Sequence, residues 1–224
     1  MPSFKLSPSD LTFLWDECPR CFYLKVKLGF GRPSAPFPSI FTRIDGLMKK
    51  HFANQPTQSI SLLLPPGRVM PGEGWVESEP IALPGHASHC HLKGKYDTLL
   101  EFEDGSYGVV DFKTSEAKDE HVAFYSRQLH AYAYALEHSA PRAMHLAPIT
   151  RLGLLVVEPD EMAVVNGKIG YLGSVTWQPI PLDWAGYMDF LGQVLSLLEQ
   201  PEPPAPGEKC GFCKYRDSAR ETGL

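Results

Sequence analysis

Residues 92–115 read LKGKYDTLLEFEDGSYGVVDFKTS, and this stretch decides the fold. Asp104-Gly105 stands between two apolar-rich runs, the pattern of a tight β-hairpin. Folded about that pair, the chain brings Asp97 within one residue of facing Asp111. Directly opposed residues of an antiparallel pair stand about 4.5–5.5 Å apart at Cα. Asp111 and Lys113 are two apart on one strand and share a face, whereas Phe112 points to the other face, into the core. Two carboxylates and an amine therefore converge. Convergent carboxylate oxygens suit a hard divalent cation such as magnesium or manganese. Alone, Asp-x-Lys equally fits a solvated strand edge with a weak ion pair; its surroundings decide.

Outward from the hairpin, strands are expected at about 75–83, 89–102 and 106–114. The segment 119–138 is helical, with Val122, Phe124, Tyr125, Leu129, Tyr132 and Leu136 at helical spacing and Pro141 just beyond. Gln128 and Tyr132 are four apart and share a face of that helix. A short loop from the Asp-x-Lys strand, they can line the same cleft, where an amide and a phenol suit a phosphate backbone or a base. The plainer reading makes them boundary residues between surface and core. Towards the N-terminus, Ser7 or Ser9 can cap a helix with Leu11, Leu14, Trp15, Cys18, Phe22 and Val26 on its apolar face. Pro19 should disturb or restart it. Residues 29–38 form a Gly/Pro loop. A helix follows over about 39–54, with Ile40, Phe41, Ile44, Leu47 and Met48 inward. Residues 55–75 look irregular. ITRLGLLVVEP (149–159) and KIGYLGSVTWQPI (168–180) read as a hairpin, and a last helix spans about 182–199. This order gives an α/β class with a central mixed sheet and helices on both faces, organised as one domain over 1–224.

Composition narrows the function classes. A hydrophobic content of 43% with 21% charged residues describes a soluble globular chain. No apolar run approaches the roughly 20 residues of a membrane helix. The start, MPSFKLSPSD, has no apolar signal-peptide core, so a cytoplasmic protein is expected. A net charge of −5 argues against strong nonspecific nucleic-acid binding but leaves room for a local basic groove.

Four of the five cysteines come as Cys-x-x-Cys pairs: Cys18 and Cys21, Cys210 and Cys213. In a reducing compartment such pairs bind metal more often than they form disulfides, and four thiolates hold zinc or an iron–sulfur cluster. The distance between the pairs in sequence is unlike a zinc ribbon, so a shared site requires the two ends of the chain to meet. Two unrelated motifs, or a redox dithiol, are the alternatives. Cys90, in an expected strand, reads as a small core residue. The second pair hangs on EQPEPPAPGEK (199–209), a stiff Pro-rich tether.

GKYD (94–97), VVDFKTS (109–115) and QLHAYAYALE (128–137), in that order, resemble the Gly-x-x-Asp, Asp-x-Lys and Gln-x-x-x-Tyr series of RecB-type PD-(D/E)XK nucleases. The opening SPSDLTFLWDECPRCFYLK (7–25) is similar to the Ser-x-x-Leu…Cys-Pro-x-x-Phe start of that group. CGFCKYRD (210–217) resembles the cysteine tail of its iron–sulfur branch, which includes AddB-type nucleases and the four-cysteine nucleases of CRISPR adaptation. The resemblance implies a restriction-endonuclease-like fold and a metal-dependent deoxyribonuclease, working on DNA beside a helicase or a CRISPR integration complex. It implies that Asp97, Asp111 and the Phe112 carbonyl ligate magnesium or manganese. Lys113 would position the attacking water and stabilise charge on phosphorus, and Gln128 and Tyr132 would orient the substrate or the lysine. Glu79 resembles the acid on the strand before the hairpin, as a structural or outer residue. Two departures stand out. The family often carries Gly-x-x-x-His on an early helix as a further metal ligand; here Lys50 holds that spacing from Gly46, and His51 falls one residue late, turned by about 100° on a helix. The iron–sulfur branch commonly has one N-terminal and three C-terminal cysteines; here Ala219 stands at the last of those positions and Cys21 is the additional N-terminal thiol. A two-plus-two set restores four ligands, for a four-iron, four-sulfur cluster or for zinc. A non-catalytic DNA-binding or scaffold module on the same fold is the alternative from another class.

Overall fold

In chain order the elements are β1 (Ser3–Leu6), a π-helical turn (Asp10–Leu14), α1 (Trp15–Glu17), α2 (Pro19–Leu28), α3 (Ser39–Phe52) and a 3-10 turn (Thr57–Ser59). They continue with β2 (Gly67–Val69), β3 (Gly74–Glu77), β4 (Ile81–Ala82), β5 (His89–Tyr96), β6 (Thr98–Phe102), β7 (Tyr107–Lys113), α4 (Asp119–Glu137), β8 (Ile149–Val165), β9 (Lys168–Ile180), α5 (Trp184–Glu199) and α6 (Gly211–Glu221). This is a computed structural model, and it describes residues 2–34, 36 and 38–223.

The run expected as one strand over 89–102 is two, β5 and β6, parted at Asp97, because they serve different sheets. The larger sheet has the order β2-β6-β7-β8-β9. Its β7–β8 pair is parallel and the others are antiparallel. A parallel pair needs a long crossover, and α4 supplies it. The smaller sheet has the order β1-β5-β3, with β4 also on β5. The fold is thus α/β with a mixed sheet flanked by helices. β1, unforeseen, is a four-residue strand whose Phe4 and Leu6 alternate inward, too short for periodicity to declare it.

The β6–β7 turn has three residues, not two. Phe102 N donates to Ser106 O (2.9 Å) and Gly105 N to Phe102 O (3.1 Å). Gly105, at φ 83°, fills the left-handed position that such a loop requires. Asp104 accepts from Ser106 N (2.9 Å) and Ser106 Oγ (2.7 Å), locking the loop. The resulting register pairs Thr98 with Val110 and Leu99 with Val109. One step further, it sets Asp97 opposite Asp111.

Helices cover both faces of the larger sheet. Leu99, Val109, Leu152 and Leu154 join Leu129, Leu136 and Leu195 in one core, on the α4 and α5 side. Val110, Phe112 and Leu155 join Met48 and Phe52 of α3 in the other. α3 buries less than its pattern promised. Only the stripe Ile44, Met48 and Phe52, at four-residue spacing, packs inward. Ile40, Phe41 and Leu47 are exposed. Near the N-terminus, Ser7 and Ser9 bond to each other (2.9 Å) and not to the helix, so neither caps it. The backbone breaks to an extended Cys18 (φ −163°) and restarts with Pro19 as the first residue of α2. The hairpin after α4 turns at Asn166 and Gly167, both at positive φ, so its first strand runs longer than expected, past a register shift at Pro159, whereas its second is as expected. α6 was also not foreseen.

Candidate active site and cysteine cluster

Strand alternation places the acids. On β7, Phe112 enters the α3-side core, so Asp111 and Lys113 face α4. Asp111 is buried, 3% exposed, at the end of the parallel pair. Its Oδ2 pairs with Lys113 Nζ, and its Oδ1 accepts from Gln128 Nε2 at 3.3 Å. The same Nε2 lies 3.2 Å from Tyr132 Oη. Asp97, in the gap between the two sheets, accepts from Phe112 N through Oδ2 at 3.4 Å. The five side chains Asp97, Asp111, Lys113, Gln128 and Tyr132 are therefore together, strand against helix.

Three residues join them that sequence reasoning missed. Lys113 Nζ sits 4.2 Å from the centre of the Tyr125 ring, a cation–π contact. Tyr125, Gln128 and Tyr132 step along one face of α4 at intervals of three and four, a spacing that points to Tyr125 once Gln128 and Tyr132 are placed in the cleft. Lys49 of α3 reaches Asp97 Oδ1, Glu73 Oε2 and Asp45 Oδ2, each at 2.8 Å. Glu73, just before β3, also pairs with Lys95. No motif marked Lys49 or Glu73.

Two expected residues lie elsewhere. His51 is exposed on α3 and its ring meets Phe52 edge-on at 5.0 Å; the neighbouring position that turns to Asp97 is Lys49. Glu79 is exposed, and its N–H bonds to His138 O at the far end of α4 (2.8 Å). Ten residues of helix, about 15 Å, part that end from Gln128.

The electrostatics are those of a site that gathers charge out of water. Burial pushes the Asp111 carboxyl up to about 6; the Lys113 ammonium opposes this and the Asp97 carboxylate adds to it. Burial alone would lower Lys113, but Asp111 outweighs it and keeps the amine protonated above its usual range. Burial also raises the Tyr132 phenol, which stays neutral. Among the described residues, Gln128 Oε1 is buried with no hydrogen-bond partner, and Asp111 Oδ2 has only its ion pair. Buried orphan oxygens beside a second carboxylate fit a hard, oxygen-seeking cation.

Elsewhere in the fold the N- and C-terminal cysteine pairs meet. Cys18, Cys21, Cys210 and Cys213 are all buried, with their Sγ atoms within 4.8 Å of one another. Cys21 Sγ lies 3.7 Å from Cys210 Sγ and 3.6 Å from Cys213 Sγ. N–H donors ring the sulfurs: Gly207 N to Cys18 (3.3 Å), Arg32 Nη2 to Cys210 (3.3 Å) and Arg216 Nη2 to Cys213 (3.3 Å). Burial works against the thiolates of Cys18, Cys21 and Cys213. At Cys18 the N–H groups of Gly207 and Cys21 outweigh it and hold the thiol at about 6, whereas burial and the neighbouring sulfurs push Cys213 up. Four converging sulfurs ringed by donors fit a thiolate-bound metal or cluster. Cys90 is fully buried in β5, and burial pushes its thiol up to about 12, as a core residue.

The family model described as the PD-(D/E)XK nuclease superfamily matches residues 63–218. That span includes Asp97, Asp111, Lys113, Gln128, Tyr132 and the C-terminal cysteine pair, and leaves Lys49 and the N-terminal pair outside. A solved structure, "Crystal structure of SSO0001", superposes with a TM-score of 0.50 at 15% sequence identity, covering 88% of this chain and 77% of that one. At such identity the likeness is one of fold. No curated protein matches the sequence. Among the described residues no helix is long and apolar enough to cross a membrane.

Proposed function

The chain belongs to the PD-(D/E)XK nuclease superfamily, and we propose that it is a metal-dependent deoxyribonuclease acting as an exonuclease on single-stranded DNA ends. The observation that carries this reading is the buried Asp111, facing Asp97 and bonded to both Lys113 and Gln128. Asp97, Asp111 and the carbonyl of Phe112 would hold magnesium or manganese. Such an ion polarises a phosphate and lowers the pKa of a bound water. Lys113, kept protonated by Asp111, serves as a fixed cation for charge developing on the phosphate oxygens. Tyr125 holds the lysine from its ring face. Gln128 links Asp111 to Tyr132, with its free oxygen left for water or substrate. Residues 1–224 act as one nuclease domain in the cytoplasm, in DNA repair or CRISPR adaptation. Unwinding comes from a separate helicase, or DNA ends from a CRISPR integration complex.

The four converging cysteines support a thiolate-bound metal under this reading, zinc or the cluster of the iron–sulfur branch. A zinc–sulfur bond of about 2.3 Å gives tetrahedral S···S edges of about 3.8 Å, near the 3.6–3.7 Å contacts here. A four-iron, four-sulfur cluster puts each thiolate on its own iron and needs the sulfurs further apart. Brown protein from anaerobic purification identifies the cluster, and colourless protein with stoichiometric zinc identifies zinc.

The test of activity is cleavage of end-labelled single- and double-stranded DNA with and without magnesium or manganese. A metal-dependent ladder from single-stranded ends is expected. Tight DNA binding with no cleavage under either metal would replace this reading with that of a non-catalytic DNA-binding module.

A further inference from the structure

The outer face of the smaller sheet carries a pattern that the catalytic cluster does not use. Residues on one face of a sheet alternate along each strand and neighbour one another across strands. Here that face presents Lys5 from β1, Lys93 and Lys95 from β5, and Trp75 from β3, with Trp75 directly paired to Lys95. Trp75 is 64% exposed, and no described ring packs on its indole. A large apolar ring in that state is costly in water. A groove of about 840 Å³ runs over this face, past Gly94, to Tyr132. Tyr132 is the residue that Gln128 ties to Asp111. Between Lys93 and Lys95, Gly94 faces inward and lets Pro8 and Tyr132 pack close beneath the strand. A Cβ on Gly94 would stand 2.6 Å from Pro8 Cδ and 3.2 Å from Tyr132 Cε1. The groove therefore ends against Tyr132, the buried residue that borders the acid cluster.

Resting on the nuclease reading above, we propose that this face is the landing surface for an unpaired DNA strand, with Trp75 stacking a base and Lys5 and Lys93 holding the flanking phosphates. Duplex DNA keeps its bases stacked on each other, so an exposed indole selects an unpaired strand. Charge fits as well. Lys93 is paired with Glu77 at 2.7 Å and Lys95 with Glu73, both on exposed carboxylates that a phosphate can displace. Lys5 has no ion pair among the described residues.

The test uses the full protein in EDTA, so that binding is read without cleavage. The probe is a fluorescein-labelled thymidine decamer followed by anisotropy. Wild type should bind it in a salt-dependent manner. Trp75→Ala should bind about ten- to a hundred-fold more weakly, the range for loss of one base–aromatic stack, and Trp75→Phe should recover most of that loss. Lys5→Gln and Lys93→Gln should each lower the slope of log affinity against log salt by about 0.7, one phosphate contact on a single strand. Manganese-dependent hydrolysis of bis(p-nitrophenyl) phosphate, too small to reach Trp75, should be unchanged in Trp75→Ala. Equal decamer affinity for wild type and Trp75→Ala overturns the inference, as does equally Trp75-dependent binding of a blunt duplex. Absent hydrolysis in both proteins, with Trp75-dependent binding intact, overturns the catalytic reading and leaves this one standing.

Discussion

Removing the metal that the four cysteines would share should loosen the whole molecule, and by an amount that chain statistics set. Cys21 and Cys210 are 189 residues apart in sequence and 3.7 Å apart at sulfur. A cross-link over a loop of that length lowers the entropy of the unfolded chain by an amount worth about 5 kcal/mol. For a chain of this size each kcal/mol moves the melting temperature by about 2–4 °C. Chelator-treated protein, and the double variant Cys210→Ser/Cys213→Ser, should therefore melt roughly 10–20 °C below the metal-loaded protein. Differential scanning calorimetry with metal analysis of each sample reads this directly. Hydrogen exchange should show α6 losing protection first, because its Cys210 and Cys213 carry the second half of the link. A fall of under about 2 °C in samples shown to be metal-free would refute the reasoning. The termini would then be held by packing alone.

Other outcomes follow from the site. Lys113→Ala should cut turnover by about a hundred- to a thousand-fold, as for loss of one preorganised charge, while its circular dichroism matches wild type; full activity would remove Lys113 from the mechanism. Asp111→Ala should abolish magnesium-dependent cleavage with the fold intact. The Asp111 carboxyl, pushed up by burial to about 6, binds a proton or the ion but not both. Manganese affinity by calorimetry should be flat above that pH and fall about tenfold per unit below it. Asp183 caps α5 through Gly186 N at 2.9 Å, so Asp183→Ala should lower stability by about 1 kcal/mol in a urea titration.

Much of this site could be read before any coordinates. Asp111, Phe112 and Lys113 alternate by strand geometry alone, and Gln128 with Tyr132 by helix geometry, so their facing was legible. The meeting of the cysteine pairs was legible as a demand that four thiols make. The break at Asp97 was not, because LKGKYDTLLEF has no Pro or Gly at the point where the strand changes sheet; partners distant in sequence, Phe4 with Cys90 among them, decide it. Lys49 was missed because the early-helix reading centred on the spacing from Gly46. Its direction is set by Met48 and Phe52 turning inward, a tertiary fact. The exposed half of α3 was misjudged for the same reason: Ile40 and Leu47 are apolar and fit the helical pattern, but they stay exposed.

The three-residue loop at 103–105 acts as a length gauge for a site some 20 Å away along the strand. Neighbouring strand residues face opposite ways, so a slip of one would put Tyr96 or Thr98 opposite Asp111 and turn the Asp97 carboxylate from it. Changing the letters of that loop, with Gly105 kept, should pass unnoticed. Adding or deleting a single residue there should silence the protein without unfolding it. Insertions are ordinarily the mildest of changes at a loop tip; here the number of residues between Asp97 and Asp111 is itself part of the active site.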